Sequence, residues 1–267
     1  MALWGTGFPR PPFFGNELSV MDEIPALQVL DAGDSCLVAE FGTTVDRALN
    51  AKVQALKAAL ARSPQKGLIE LVPTYRSLAV YYDPCALKRE DLKNRIEHLS
   101  ENLGTSGSEA GRVVSIPVCY GGEFGPDLEN GCAHTGLSKE EVISRHTGRH
   151  TYCFMIGFTP GFASLGGMDE ALATPRLENP RTVIPAGSVG IAGKQTGIYP
   201  IDSPGGWQLI GRTPLAVFDP LRTPPTLVEA GDWVRFEAVD EAEYRAIQAG
   251  AKAGTYELKI GVRKEAE

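Results

Sequence analysis

Between Gly157 and Pro214 the chain places 11 Gly and 7 Pro in 58 residues, against 30 Gly and 19 Pro in all 267. Glycine reaches φ > 0 without steric cost, and proline fixes φ and removes a donor. No long helix runs through such a stretch. What remains between the turn formers is short β-like pieces: TVIPA, SVGIAG, GWQLIG and LAVFD. Short strands joined by shaped corners are the pattern of a β-barrel or sandwich with long loops. Upstream, RVVSIPVCY and TYCFMIGF read as strands, separated by the glycine-rich loop YGGEFGPDL and a short helix, LSKEEVISRH. Ser138 and Glu141 have the spacing of a capping box at that helix. Downstream, GDWVRFEAV and TYELKIGV read as strands on either side of a short helix, EAEYRAIQAG.

The first part of the chain has a different texture. LQVLDAG and SCLVAEFG read as two strands around a turn, and LIELVP and RSLAVYY as another pair. Val45, Leu49, Val53, Leu56 and Leu60 have helical spacing, with Thr43 or Thr44 as cap and Pro64 past the end. Leu92, Ile96, Leu99 and Leu103 form a second helical stripe, with Gly104 as its stop. The order ββαββα suggests helices packed on one face of a sheet. The expected organisation is α+β: a loose arm at 1–24, a small α/β domain at 25–104, a polar link TSGSEAG at 105–111, and a barrel domain at 112–267.

Composition narrows the function. Hydrophobic residues make up 43% of the chain, enough to bury a core, and the net charge is -7. A nucleic-acid backbone binder needs a basic face, so that class is excluded. No apolar run reaches the ~18 residues of a membrane span. The start carries a single basic residue, Arg10, and lacks a secretory pattern. Cys36, Cys85, Cys119, Cys132 and Cys153 are scattered and form no C-x-x-C, as expected of thiols in a reducing cytosol rather than a metal or disulfide framework.

The turn-rich stretch also holds the candidate binding groups. Arg176, Arg181 and Arg212 carry guanidinium forks suited to a carboxylate or phosphate, or to ordinary loop salt bridges. Gln195, Thr196 and Tyr199 offer neutral hydrogen-bonding groups for an amide. The run Gly-Lys-Gln-Thr is no phosphate-binding P-loop, because its first glycine and the strand-to-helix context are missing. Ser203-Pro204-Gly205-Gly206 fits a type II turn, with Pro second and Gly third. Such a turn would present backbone N–H groups and aim Trp207 across a pocket or into a core. His146 is a candidate proton carrier, with an ordinary pKa near ~6.5, or a C-terminal cap for its helix. With His150 it has H-x3-H spacing, weakly supported as a metal pair because Gly148 interrupts it. Glu123 and Asp127 are candidates for a general base or for holding a metal–nucleotide, and equally for capping a turn. No G-x-S-x-G signature is present.

YGGEFGPDL, GLSKEEVISRHT, MIGFTPGFASLGGMD, ATPRLENPRTVIPAGSVGIAGKQTGIYP and SPGGWQLIGRTP together closely resemble the KipI-type family. Its members are called the B subunit of 5-oxoprolinase, formerly allophanate hydrolase subunit 1. The likeness runs over about residues 27–240. Ser164 and Met168 depart from it, standing where the family usually has an aromatic and often a Leu. The resemblance implies a small N-terminal α/β domain followed by a cyclophilin-like β-barrel. It implies work with two partners, a sister C-type subunit that is also cyclophilin-like and a separate A-type subunit. Together they would cleave the lactam 5-oxoproline to glutamate with ATP and Mg2+. Arg176 and Arg181 would then hold the substrate carboxylate or a transferring phosphoryl group. Gln195 and Thr196 would read the ring amide, and His146 or Glu123 would move protons. Two other roles occur among relatives of this kind: a component of a urea carboxylase or allophanate system, and a histidine-kinase inhibitor.

Overall fold

The computed structural model describes residues 27–101, 103 and 111–263. The expected arm at 1–24, the stop at Gly104 and all of the 105–111 link except Gly111 lie outside them.

Four strands, β1 (Gln28–Asp31), β2 (Cys36–Glu40), β3 (Leu68–Pro73) and β4 (Ser77–Tyr82), form an antiparallel sheet in the order β1-β2-β4-β3. Helices α1 (Arg47–Arg62) and α2 (Arg89–Glu101) cover it. Leu49, Val53, Leu56 and Leu60 of α1 and Leu92 and Ile96 of α2 share one core with Leu37, Leu78 and Val80 of the sheet. The helical stripe therefore does what its spacing predicts. Its start differs. Asp46, not Thr43 or Thr44, caps α1, accepting from the backbone N–H groups of Ala48 and Leu49. Val45 is 53% exposed and precedes the helix instead of joining its buried face.

The second unit opens with β5 (Gly111–Tyr120). Two helices follow, α3 (Leu128–Thr135) and α4 (Lys139–Thr147). Then come β6 (Thr151–Ile156), β7 (Ala163–Gly166), β8 (Arg181–Ile184), β9 (Ser188–Ala192), β10 (Gln195–Ile198), β11 (Ser203–Gly205) and β12 (Gln208–Arg212). The last elements are β13 (Trp233–Val239), α5 (Glu241–Ala253) and β14 (Ile260–Arg263). Strands β12-β9-β10-β7-β6-β13-β5 pair in sequence, and β5 returns to β12 through Gly211 opposite Tyr120 and Arg212 opposite Cys119. That pairing closes a seven-stranded barrel. β14 adds to the other end of the same β5 edge, at Gly111–Val114. The barrel is filled by Val114, Ile116, Val118, Leu165, Ile191, Ile198, Ile210, Val234 and Phe236, alternate residues of their strands. Met168 packs against this core.

The capping box of Ser138 and Glu141 is present in full at α4. Two local expectations do not hold, and two elements appear that the sequence does not announce. LAVFD forms no strand and contributes one isolated bridge, Phe218 to Thr226. Helix α3 and strand β10 are elements that the sequence reading does not name. Of TYELKIGV only the end is a strand, running Ile260–Arg263. No helix among the described residues is long and apolar enough to cross a membrane.

Asn50 ties the two units together. Its amide donates to the carbonyls of Thr74 and Tyr75 in the first unit and of Phe154 in the barrel, at 2.9, 3.0 and 3.1 Å. Its side-chain oxygen accepts from the Tyr152 hydroxyl at 3.0 Å. A fully buried amide with both ends satisfied is a polar latch between the two units.

Candidate functional site

The stretch from Ser203 to Trp207 does not make the type II turn its residues suggest. That turn needs a positive φ at its third residue, and Gly205 has none. Ser203–Gly205 is instead the strand β11, paired with β8 through Ser203 opposite Ile184 and Gly205 opposite Arg181, with a register shift between them. A bulged edge strand tolerates Pro204, which has no N–H to give. Gly205 is required by contact: a Cβ there would lie 2.4 Å from the Tyr199 hydroxyl oxygen and 2.9 Å from Ile184 Cδ1.

The ribbon delivers Trp207 into a second core rather than onto a pocket wall. Trp207 is 8% exposed and meets Phe162 and Tyr199 edge-on, with ring centroids 5.7 and 6.2 Å away. Gly197 admits the indole, since a Cβ there would stand 3.0 Å from Trp207 Cζ3 and 3.3 Å from Phe162 Cζ. At the rim of this cluster Phe158 holds φ 72° with its side chain 82% exposed, and its ring meets Phe162 edge-on at 5.8 Å. A bulky residue at positive φ is strained, and such strain concentrates at functional surfaces.

Beside the ribbon, Arg181 Nη2 donates to Asp127 Oδ1 at 2.7 Å. Asp127 Oδ2 accepts from the Leu209 backbone N–H, also at 2.7 Å. Asp127 stands at the start of α3 yet makes no side-chain cap bond. It is 3% exposed, and both its oxygens are used to hold Arg181 and β12. Arg181 Nη1 is buried and has no hydrogen-bond partner among the described residues. Gln208 Oε1 is in the same condition, while the amide nitrogen of that side chain donates to Pro175 O at 3.1 Å. Arg176 is exposed, with its guanidinium 6.0 Å from the Trp207 ring centroid. Burial raises the Tyr199 hydroxyl above its ordinary pKa, and a bond with the Trp207 backbone and the charges of Arg176 and Arg181 pull it back. The Gly206 carbonyl accepts from Leu177 N at 2.7 Å, which ties the Arg176 loop to the ribbon. Ser203 Oγ is turned to the Ile201 carbonyl.

The expected residues thus divide. Arg176, Arg181, Asp127, Tyr199, Ser203, Gly205, Gly206 and Trp207 gather around the β8–β11 ribbon. The others lie elsewhere. Glu123 is on the surface, paired with Arg245 at 2.8 Å. Gln195 donates to the Tyr75 hydroxyl at 3.1 Å, across to the first unit. Arg212 lies on β12 between Cys119 of β5 and Ser188 of β9.

His146 and Thr196 are inside the barrel. The imidazole is 2% exposed and stacks on Phe236 with centroids 4.4 Å apart. Its Nδ1 is 2.7 Å from the Tyr120 hydroxyl and its Nε2 is 2.8 Å from Thr196 Oγ1. Thr196 donates its own proton to Gly190 O at 3.1 Å, so Thr196 accepts from His146 Nε2–H and Nδ1 accepts from Tyr120. The result is a closed chain of hydrogen bonds around a neutral imidazole. Burial pushes the His146 pKa down from 6.5 to about 3. A proton carrier has to reach a ligand, and this ring is sealed. In this fold His146 makes hydrogen bonds inside the barrel and is not brought to the ribbon residues. Its partner Tyr120, the Asp127–Arg181 pairing and the strained Phe158 have no signal in the sequence, since each depends on contacts between distant segments.

Residues 27–228 match the family model described as carboxyltransferase domain, subdomain C and D. The B subunit of 5-oxoprolinase from Bacillus subtilis (strain 168) is 45% identical over 233 residues, covering 82% of this chain and 95% of that protein. The protein of the same name from Escherichia coli O157:H7 is 40% identical over 204 residues, covering 76% of this chain and 92% of its own. The crystal structure of TTHA0988 in space group P212121 superposes with a TM-score of 0.69 at 40% identity, over 77% of this chain. This chain spans 40% of the length of TTHA0988. It belongs to the carboxyltransferase subdomain C and D family, among the proteins named as the B subunit of 5-oxoprolinase.

Proposed function

We propose that this chain works as the B subunit of an ATP-dependent 5-oxoprolinase, with a sister C-type subunit and an A-type subunit, and that it opens 5-oxoproline to glutamate only within that complex. The names of its relatives supply the reaction. The observation in this chain that carries the reading is Arg181, with one guanidinium nitrogen fixed by a buried carboxylate and the other buried without a partner among the described residues. A pre-oriented guanidinium of this kind suits the carboxylate of 5-oxoproline, or phosphoryl charge as it develops. Gln208 Oε1 supplies an acceptor of the kind a lactam N–H needs. Arg176 is the exposed cation able to close over the ligand.

Opening a lactam is uphill unless it is coupled, and ATP supplies a phosphoryl group that makes the ring carbonyl a better electrophile for water. In this reading Mg2+ enters with the nucleotide phosphates. Asp127 positions Arg181, and Glu123 is paired with Arg245 at the surface.

The test is a reconstituted complex carrying Arg181→Ala or Arg181→Lys. The alanine variant should raise the KM for 5-oxoproline about tenfold or more, the effect of losing a charge-assisted hydrogen bond. Lysine should recover part of it. An unchanged KM in an assembled complex would remove Arg181 from the site.

A further inference from the structure

Two loops of the barrel unit hold out apolar side chains that the fold does not cover. Leu221 is 94% exposed and Phe158 is 82% exposed, the highest values among the large apolar residues described. The loops touch each other. A Cβ on Gly161 would lie 2.5 Å from Phe218 Cβ, so the segment after Phe158 packs directly on the start of the loop that carries Leu221. Pro160, Pro220, Pro224 and Pro225 are exposed beside them. The charged residues of the two segments, Asp219 and Arg222, are spent on the loop itself. What the two loops present is therefore an apolar and uncharged surface.

Neither tip is loose. The Arg222 guanidinium donates to the carbonyls of Ala216, Val217, Pro224 and Pro225 at 3.0, 3.2, 3.3 and 3.0 Å, which lashes the two arms of the loop together. Asp219 Oδ1 accepts from the Leu221 N–H at 2.9 Å, and Asp219 N donates to Pro225 O at 2.8 Å. Phe158 is held out by its backbone, at φ 72°, with its ring edge-on to Phe162. For the chain alone this residue is unfavourable twice, in its backbone strain and in its exposed ring. Rigid apolar tips lose little conformational freedom when a partner covers them, which is the property of an anchor in a protein interface.

We propose that Phe158 and Leu221 anchor a docking surface for the sister C-type subunit, each entering an apolar pocket of that partner. The identity of the partner rests on the 5-oxoprolinase reading; the surface does not. The shape argues against a second copy of this chain. A two-fold contact needs a self-complementary patch, and two such patches would meet tip against tip. The absence of charge argues against a nucleic-acid partner. The position favours a subunit of the same complex. Phe158 leans on Phe162, and Phe162 meets Trp207 at 5.7 Å, so a protein seated here borders the ribbon that carries Arg181. In TTHA0988, of which this chain spans 40%, the same fold is joined to further polypeptide that can lie against it.

The experiment is calorimetric titration of the full chain with the C-type subunit, with sedimentation and a melting curve for each form of the chain alone. Leu221→Ser and Phe158→Asn are the test variants. Ile69→Thr, at an apolar position 67% exposed on β3 of the first unit, is the control. Each test variant should weaken the association about tenfold or more, as loss of an anchor does, and the control should bind like the parent. Asparagine tolerates positive φ, so Phe158→Asn should keep or raise the melting temperature while losing affinity. A residue kept only for packing would lower both. Parent-like affinity in both test variants, or an equal loss in the control, overturns the surface and leaves the 5-oxoprolinase reading in place. A parent that pairs with itself and not with the C-type subunit, or binds nothing, overturns the docking proposal. Glutamate formation by the mixed subunits tests the functional reading separately.

Discussion

Acid should unfold this protein through His146, and one variant isolates the effect. In the folded barrel burial holds the imidazole pKa at about 3, against an ordinary value of 6.5. The folded value is the lower one, so between those limits the unfolded chain binds the proton and the folded chain does not. His146 therefore contributes its full stabilisation above pH ~6.5 and loses it as pH falls toward ~3. Each pH unit in that window is worth about 1.4 kcal/mol. Between pH 6.5 and 5 the loss from this one ring is about 2 kcal/mol, a large share of a typical 5–15 kcal/mol stability. The ring is sealed, so solvent screening does not reduce the figure. The assay is urea unfolding at pH 7 and pH 5 for the parent and for His146→Asn. The variant starts lower, because the bonds to Tyr120 and Thr196 are rearranged, but it has no group titrating in this window at that position. The drop on acidification should therefore be about 2 kcal/mol smaller in the variant than in the parent. Carboxylates elsewhere cancel in the comparison. Equal drops in the two proteins would refute the buried, neutral histidine.

Two structural substitutions test the packing that surrounds the site. Asn50→Ala leaves the Tyr152 hydroxyl and three carbonyls without their partner between the two units, and should cost about 3 kcal/mol, read by thermal denaturation, with faster proteolysis near Thr74 and Tyr75. A cost near zero would show that the contact between the units does not rest on this amide. Gly205→Ala forces a Cβ against Tyr199 and Ile184 and should cost about 1–3 kcal/mol, with weaker binding at the ribbon, measured on the reconstituted complex. Wild-type behaviour would mean that the ribbon gives way without penalty.

The parts of the fold that could be read from the sequence are those decided within a turn or two. The Ser138–Glu141 capping box and the Leu92–Ile96 stripe are local, and both stand as expected. At α1 three residues able to cap occur close together, and Asp46 prevails because the chain is extended there and its carboxylate meets two free N–H groups. Helix α3 is eight residues long with Gly131 inside it, a combination that hides a helix from periodicity. At Ser203–Gly205 the local turn signal is overridden by pairing with β8, which the sequence of the turn does not contain. The same division runs through the site. Arg181 and Asp127 stand out as residue types suited to a polar loop, but their pairing joins segments 54 residues apart. His146 has the chemistry of a proton carrier and the position of a helix cap. Only the closure of the barrel over α4 shows that it is neither exposed nor charged.

The most direct measurement is glutamate formation from 5-oxoproline by this chain mixed with its candidate A-type and C-type partners, ATP and magnesium, with each component omitted in turn. Glutamate is expected only when all three chains and ATP are present, with ADP and phosphate formed in step, and no turnover of urea or allophanate. Well-folded, associated proteins that consume ATP with urea or allophanate and leave 5-oxoproline untouched would contradict the proposed function.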